Sequence, residues 1–139
     1  MSSYADAADI ARLKHDSAVW AVVGLGNNPE RPAFGVARFL QQQGKRIVPV
    51  YPRAEEVHGE PGYASLADAA AVVGPIDVVD CFVNSSRVGE IVDQAIAIGA
   101  KAVWLQLDVI DEAAAERARA AGLTVVMDRC PAIEFPKLA

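Results

Sequence analysis

The sequence predicts an α/β protein: a single Rossmann-like domain whose doubly wound sheet has about five mainly parallel strands with helices on both faces. Three observations carry this. Nearly continuous apolar runs alternate with stretches of helical periodicity along the chain, as strands buried on both faces require. Two glycines, Gly24 and Gly26, close the first apolar run and lead towards a helix, where such folds make a phosphate-binding turn. The chain has 139 residues, 53% of them hydrophobic and 22% charged, enough for one core without disulfides or metals. The expected domain is 1–139, with its core at about 17–130 behind an N-terminal helix.

The elements follow in order. An opening helix is expected from about Tyr4 to Lys14. Val19-Trp20-Ala21-Val22-Val23 is a β-rich run stopped by Gly24. Ala33 to Gln43 sets Phe34, Ala37 and Leu40 on one helical face and ends at Gly44. Arg46-Ile47-Val48-Pro49-Val50 is the second strand, and its proline argues against a central ladder position near that end. Ser65-Leu66-Ala67-Asp68 reads as the capped start of a short helix, closed by Gly74-Pro75. Asp77 to Val83 is the third strand. Ser86 to Ile98 is a helix with Val88, Ile91, Val92 and Ala95 inward and Gly99 at its end. Lys101 to Leu107 is the fourth strand. Asp111 caps a helix rich in Ala, Glu and Arg that Gly122 stops, and Leu123 to Met127 is the fifth strand.

Composition narrows the function. Cys81 and Cys130 show no metal or disulfide spacing, which points to a reducing, cytoplasmic setting without a metal site. Met1 to Asp16 lacks the basic-then-apolar order of a signal peptide, and no apolar run nears the ~18 residues that span a bilayer. The net charge of −5 argues against nucleic acid as a partner. A small-molecule ligand is expected, on a monomer or homodimer. One stretch runs against the overall charge: from Arg31 to Ala54 there is no acid, and Arg31, Arg38, Lys45, Arg46 and Arg53 fall within it. That run is either a solvated basic face or, in part, an anion site.

Ligands of doubly wound sheets sit beyond the carboxyl ends of the strands, so the post-strand segments are the candidates. In Gly24-Leu25-Gly26-Asn27-Asn28-Pro29, Gly24 permits a tight turn and Gly26 lets backbone approach a phosphate. Asn27 and Asn28 add side-chain donors, and the following helix adds its positive end. Pro29 replaces the third glycine of the dinucleotide fingerprint. The second strand ends Val50-Tyr51-Pro52-Arg53, without the acid that holds the ribose hydroxyls of NAD. Arg53 favours instead a phosphorylated ribose, that of NADP or of coenzyme A. After the third strand, Ser85 or Ser86 can cap a helix, and Asn84 and Arg87 share the ligand rim. Cys130 reads as a buried or idle thiol, since neither His15 nor His58 is placed beside it by sequence. Cys81, Trp20 and Trp104 read as core. Asp77 and Asp80 bracket a strand rather than form an acid pair, with Asp77 ending the turn before it.

These residues also follow a familiar order. Ala21-Val22-Val23-Gly24, Asn28-Pro29-Glu30-Arg31-Pro32, Ile47-Val48-Pro49-Val50-Tyr51-Pro52 and His58-Gly59-Glu60 come first. Val103-Trp104-Leu105-Gln106 and Gly122 to Cys130 follow. From about Val19 to Leu138 the chain resembles the small stand-alone CoA-binding proteins, relatives of the CoA-binding domain of the succinyl-CoA synthetase α subunit. The resemblance implies CoA or an acyl-CoA as ligand, with the glycine loop (Gly24, Leu25, Gly26, Asn27, Asn28) and Arg31 at the phosphates. It implies Pro52 and Arg53 near the 3′-phosphate, and Val83 to Ser85 along the pantetheine. The chain departs from the family's habit at Gly26 (commonly Ser), Tyr51 (commonly Asn) and Asp108 (near a common Gly). No catalytic residues are implied, which leans towards a binding protein rather than an enzyme. The competing reading is an NADP-binding, oxidoreductase-like domain, which lacks a substrate domain and a hydride-transfer residue. A phospho-receiver domain fails, because the first strand ends in Gly24 and not in acids.

Overall fold

A computed structural model describes residues 4–138; positions 1–3 and 139 of the expected domain lie outside the described residues. Asp6 accepts from the N–H groups of Ala8 and Asp9 and starts α1 (Ala7–Asp16), later than the periodicity places it. Then come β1 (Val19–Val23), α2 (Pro32–Gln42), β2 (Arg46–Val50), α3 (Leu66–Val73) and β3 (Val78–Cys81). α4 (Ser85–Ala97), β4 (Ala102–Leu105), α5 (Glu112–Ala120) and β5 (Thr124–Val126) follow. The chain then adds α6 (Pro131–Glu134) and a 3-10 turn (Phe135–Lys137) that the sequence reading does not contain, being too short to show a period. The third, fourth and fifth strands are shorter than their apolar runs because burial outlasts the ladder: Gln106 and Met127 stay buried beyond their strands.

The five strands form one sheet of order β2-β1-β3-β4-β5, and every pairing is parallel. β2 is an edge strand, as Pro49 suggests. Arg46 donates to the Ala18 carbonyl and the Val50 carbonyl accepts from Gly24, so these residues face β1. Pro49 points outward, and its carbonyl accepts from the Tyr63 N–H at 2.9 Å.

The sheet divides the core into two layers. Ala21, Val23, Val79, Cys81, Val103 and Leu105 pack with the inner stripes of α3, α4 and α5. Trp20, Val22, Val78, Ala102 and Trp104 pack with α1, α2 and Phe135 on the other side. Trp20 and Trp104 are fully buried packing residues with ring centroids 5.6 Å apart, and Phe135 stands edge-on to both. Their indole N–H groups donate to Ser17 Oγ and to the Arg129 carbonyl, as buried indoles require.

Local chemistry sets the helix ends. Ser65 caps α3 by accepting from the Asp68 N–H. Ser65→Ala should lower stability by about 1 kcal/mol, read as a shift of the urea midpoint. Neither Ser85 nor Ser86 is the cap of α4: Asn84 holds that position, without a side-chain cap bond. Ser85 Oγ is drawn away, donating to the Asp108 carbonyl and accepting from the Ile110 N–H. The cap position of α2 is Arg31, also without a side-chain bond.

Candidate functional site

The chain leaves β1 for α2 on one face of the sheet and β3 for α4 on the other, so the neighbouring carboxyl ends of β1 and β3 form the switch-point crevice. Both helices begin there with no side chain capping their first N–H groups. Those donors, at the positive ends of two helix dipoles, suit an anion.

Beside β1 a pocket of about 290 Å³ is lined by Gly24, Gly26, Asn27, Asn28, Arg31, Tyr51, Arg53 and Glu55. It joins the loop after β1 to the segment after β2. Gly24 makes the turn with φ +98°, in the left-handed region, and a Cβ there would lie 2.5 Å from the Phe82 carbonyl oxygen. Asn28 Oδ1 accepts from the Glu30 N–H and so braces the loop. Arg31 and Arg53 are exposed and make no ion pair or side-chain hydrogen bond among the described residues. Two unpaired guanidiniums beside loop amides are chemistry for phosphate.

The remaining expected residues fall elsewhere. Leu25 is fully buried in the core layer of Trp20 and Trp104 and anchors the loop there. Pro52 lies in the exposed turn between Tyr51 and Arg53. Val83 packs against the core layer of Cys81 and Leu105, while Asn84 and Arg87 stand exposed at the start of α4, outside this pocket. The basic stretch from Arg31 to Ala54 is not one face. Lys45 is buried, and its ammonium donates to the carbonyls of Lys14 and Ser17 at the end of α1. Burial lowers its pKa, against the pull of Asp77 and Asp16. Arg38 bonds Gln41 along α2, and Arg46 begins β2 at the far end of the sheet.

Two pocket residues escape the sequence reading of the site. Tyr51 is one. The other is Glu55, and it changes the inference drawn from the end of β2: an acid is present, delivered by the turn after Arg53. Its Oε1 accepts from the Asn27 N–H at 2.9 Å.

The carboxyl edge of the sheet also holds unusual backbone. Ala54, His58, Asp108 and Asp128 have φ of 50°, 52°, 66° and 59°, a conformation that side chains disfavour and functional edges often retain. Asp108 is secured by its N–H, which donates to Asp128 Oδ1 at 2.7 Å. A glycine would take that conformation without strain.

Behind the rim lie two acids and two thiols. Asp77 accepts from the Ala18 and Val19 N–H groups and pairs with Lys101, so it ties β1 to β3 rather than merely ending a turn. Burial alone would raise its pKa; these bonds hold it below the ordinary value. Asp80, in contrast, is fully buried within β3. Gln106 Nε2 donates to its Oδ1 at 2.6 Å, while Oδ2 has no partner. Burial, opposed by that bond, pushes its pKa up to about 8. Cys81 is core, and burial and then Asp80 raise its thiol well above the ordinary range. Cys130 is also buried and its thiol raised. His58 serves elsewhere: Nε2 bonds the Phe34 carbonyl and its ring packs on Phe34. Among the described residues, no helix is long and apolar enough to cross a membrane.

Comparison with known proteins adds a family to this geometry. A family model described as "CoA binding domain" matches residues 18–136. The chain is 36% identical to a hypothetical protein from Pyrococcus horikoshii OT3, covering 96% of this chain and 92% of that one, with a TM-score of 0.89. A Thermus thermophilus structure, cell-free ID.343, is 32% identical over 97% of this chain and 100% of its own, with a TM-score of 0.88. Uncharacterized protein YneT of Bacillus subtilis is 32% identical over 123 residues, 88% of this chain and 89% of YneT.

Proposed function

The chain belongs to the CoA binding domain family, and from that premise we propose that it binds coenzyme A or an acyl-CoA in the pocket beside β1. The observation that carries this reading is the pairing, in one pocket, of a glycine loop with two arginines that have no ion pair or side-chain hydrogen bond among the described residues. Backbone N–H groups of the loop beyond Gly24, as far as Asn28, and of the start of α2 receive the pyrophosphate. Arg53, helped by Arg31, receives the 3′-phosphate on the ribose. At about 290 Å³ the pocket sits at the lower end of ligand cavities, which suits the phosphates rather than the whole ligand. The pantetheine then follows the switch-point crevice past Val83, Asn84 and Arg87 at the start of α4.

The proposed role is binding, and it makes no use of the two cysteines. The two thiols behind the rim are buried and their pKa values raised, so both remain protonated and poorly nucleophilic near neutral pH. NADP also carries a phosphorylated ribose and suits Arg53 equally well; the family match favours CoA.

Calorimetric titration with CoA, dephospho-CoA and NADP tests the reading. CoA should bind, and NADP should bind far more weakly or not at all. Arg53→Ala should weaken CoA about tenfold to hundredfold, the cost of one or two charge-assisted hydrogen bonds. Dephospho-CoA, which lacks the 3′-phosphate, should respond little. Equal weakening of both ligands removes the role of Arg53, and a protein that takes NADP while ignoring CoA removes the reading itself.

A further inference from the structure

The pocket already contains an anion supplied by the chain. We infer that Glu55 is an internal stand-in for the ligand's phosphate: its carboxylate takes a glycine-loop amide, and a ligand must push it aside to bind. The inference rests on reading this pocket as a phosphate site, and it adds a built-in competitor to that site.

The contact itself is the first support. Glu55 Oε1 takes the Asn27 N–H, at 2.9 Å, a backbone donor of the kind a bound phosphate uses. Arg31 and Arg53 line the same pocket, yet Glu55 forms an ion pair with neither among the described residues. The carboxylate is thus held by the loop amide and not by the cations. Space is the second support. A Cβ on Gly26 would lie 2.9 Å from Oε1 and 3.3 Å from the Tyr51 ring, so this glycine leaves the volume that the carboxylate fills. The third support is the backbone that delivers it. Ala54 precedes Glu55 in the left-handed region. Gly62 lies so close beneath that a Cβ would come within 2.1 Å of the Glu55 carbonyl oxygen. Val57 and Glu60 close the turn with a pair of backbone hydrogen bonds. The main chain at Glu55 is therefore fixed, and turning the side chain alone frees the amide.

A carboxylate and a phosphate cannot share one N–H, and their charges repel. A single small anion gains little over the carboxylate already in place. A ligand with further phosphate for Arg31 and Arg53 gains contacts that Glu55 does not contest. The device therefore selects for ligands with more than one phosphate group.

The test titrates inorganic phosphate, inorganic pyrophosphate and CoA into the full chain, Glu55→Ala and Glu55→Gln. Glu55→Ala should tighten pyrophosphate about tenfold, the value of one charge-assisted hydrogen bond no longer broken. Glu55→Gln, which keeps an acceptor and loses the charge, should tighten it less. Exchange of the Asn27 amide hydrogen in the free protein should be slow in wild type and faster in Glu55→Ala. Unchanged or weaker anion binding in both variants, or no pyrophosphate binding in any of the three proteins, overturns the inference. A wild type that ignores CoA while Glu55→Ala gains pyrophosphate leaves Glu55 in this role and removes the CoA reading. A wild type that binds CoA more tightly than Glu55→Ala makes Glu55 a ligand contact and overturns the stand-in alone.

Discussion

Asp80→Asn should stabilise the protein in alkaline solution, by an amount approaching about 5 kcal/mol above pH 8. Asp80 lies fully buried in β3 with one oxygen bonded to Gln106 and the other without a partner. Burial lifts its pKa to about 8, against ~3.9 in an unfolded chain. The folded state therefore holds this proton more tightly than the unfolded state does. The stability linked to it is fully present below pH ~4 and is lost as the pH rises towards 8. Asparagine has the same shape, keeps an oxygen for Gln106 and cannot ionise. Urea unfolding of wild type and variant from pH 4 to 9 measures the difference directly, and other titrating groups cancel in the comparison. A stability difference that stays constant across that range would show that Asp80 is not held protonated.

Gly24→Ala should cost about 3 kcal/mol or more, combining a left-handed alanine with a backbone collision. The residue has φ +98°, and an added Cβ would lie 2.5 Å from the Phe82 carbonyl oxygen and 3.1 Å from its carbon. Those atoms belong to the backbone leaving β3, so the loop and the strand end must separate. CoA affinity should fall with stability, because the same movement displaces the amides offered to the phosphates. A Gly24→Ala protein that unfolds within about 1 kcal/mol of wild type would mean that the turn relaxes without strain.

The fold is legible because its period is unambiguous. Strands such as Val78-Val79 and Ala102 to Leu105 are apolar on both faces, and glycines stand where helices stop. Pro49 goes further and locates an edge. The outer limits are less legible: α1 waits for the Asp6 cap, and the segment from Pro131 to Lys137 is too short for a pattern. In the site, Gly24, Gly26, Asn27, Asn28, Arg31 and Arg53 come together in one pocket. Glu55 does not announce itself, because its approach depends on a left-handed Ala54 and on Gly62 beneath it. Asp80 is equally hidden. An acid within an apolar run reads as a strand bracket until the packing shows that the layer of Val22 and Trp104 closes over it.

The outward turn of Pro49 has a consequence for the company the protein keeps. A sheet edge invites a foreign strand when it offers a row of free N–H and C=O groups. Along β2 the outward residues are Ile47 and Pro49; the proline has no N–H to give, and its carbonyl is already taken by Tyr63. Tyr63 also accepts from the Tyr51 N–H at 2.9 Å. Among the described residues only Ile47 is left to greet a newcomer, and a single rung is no ladder. The side of the sheet nearest the pocket is thus closed to strand addition by its own backbone chemistry, and the protein can crowd in solution without zipping to its neighbours there.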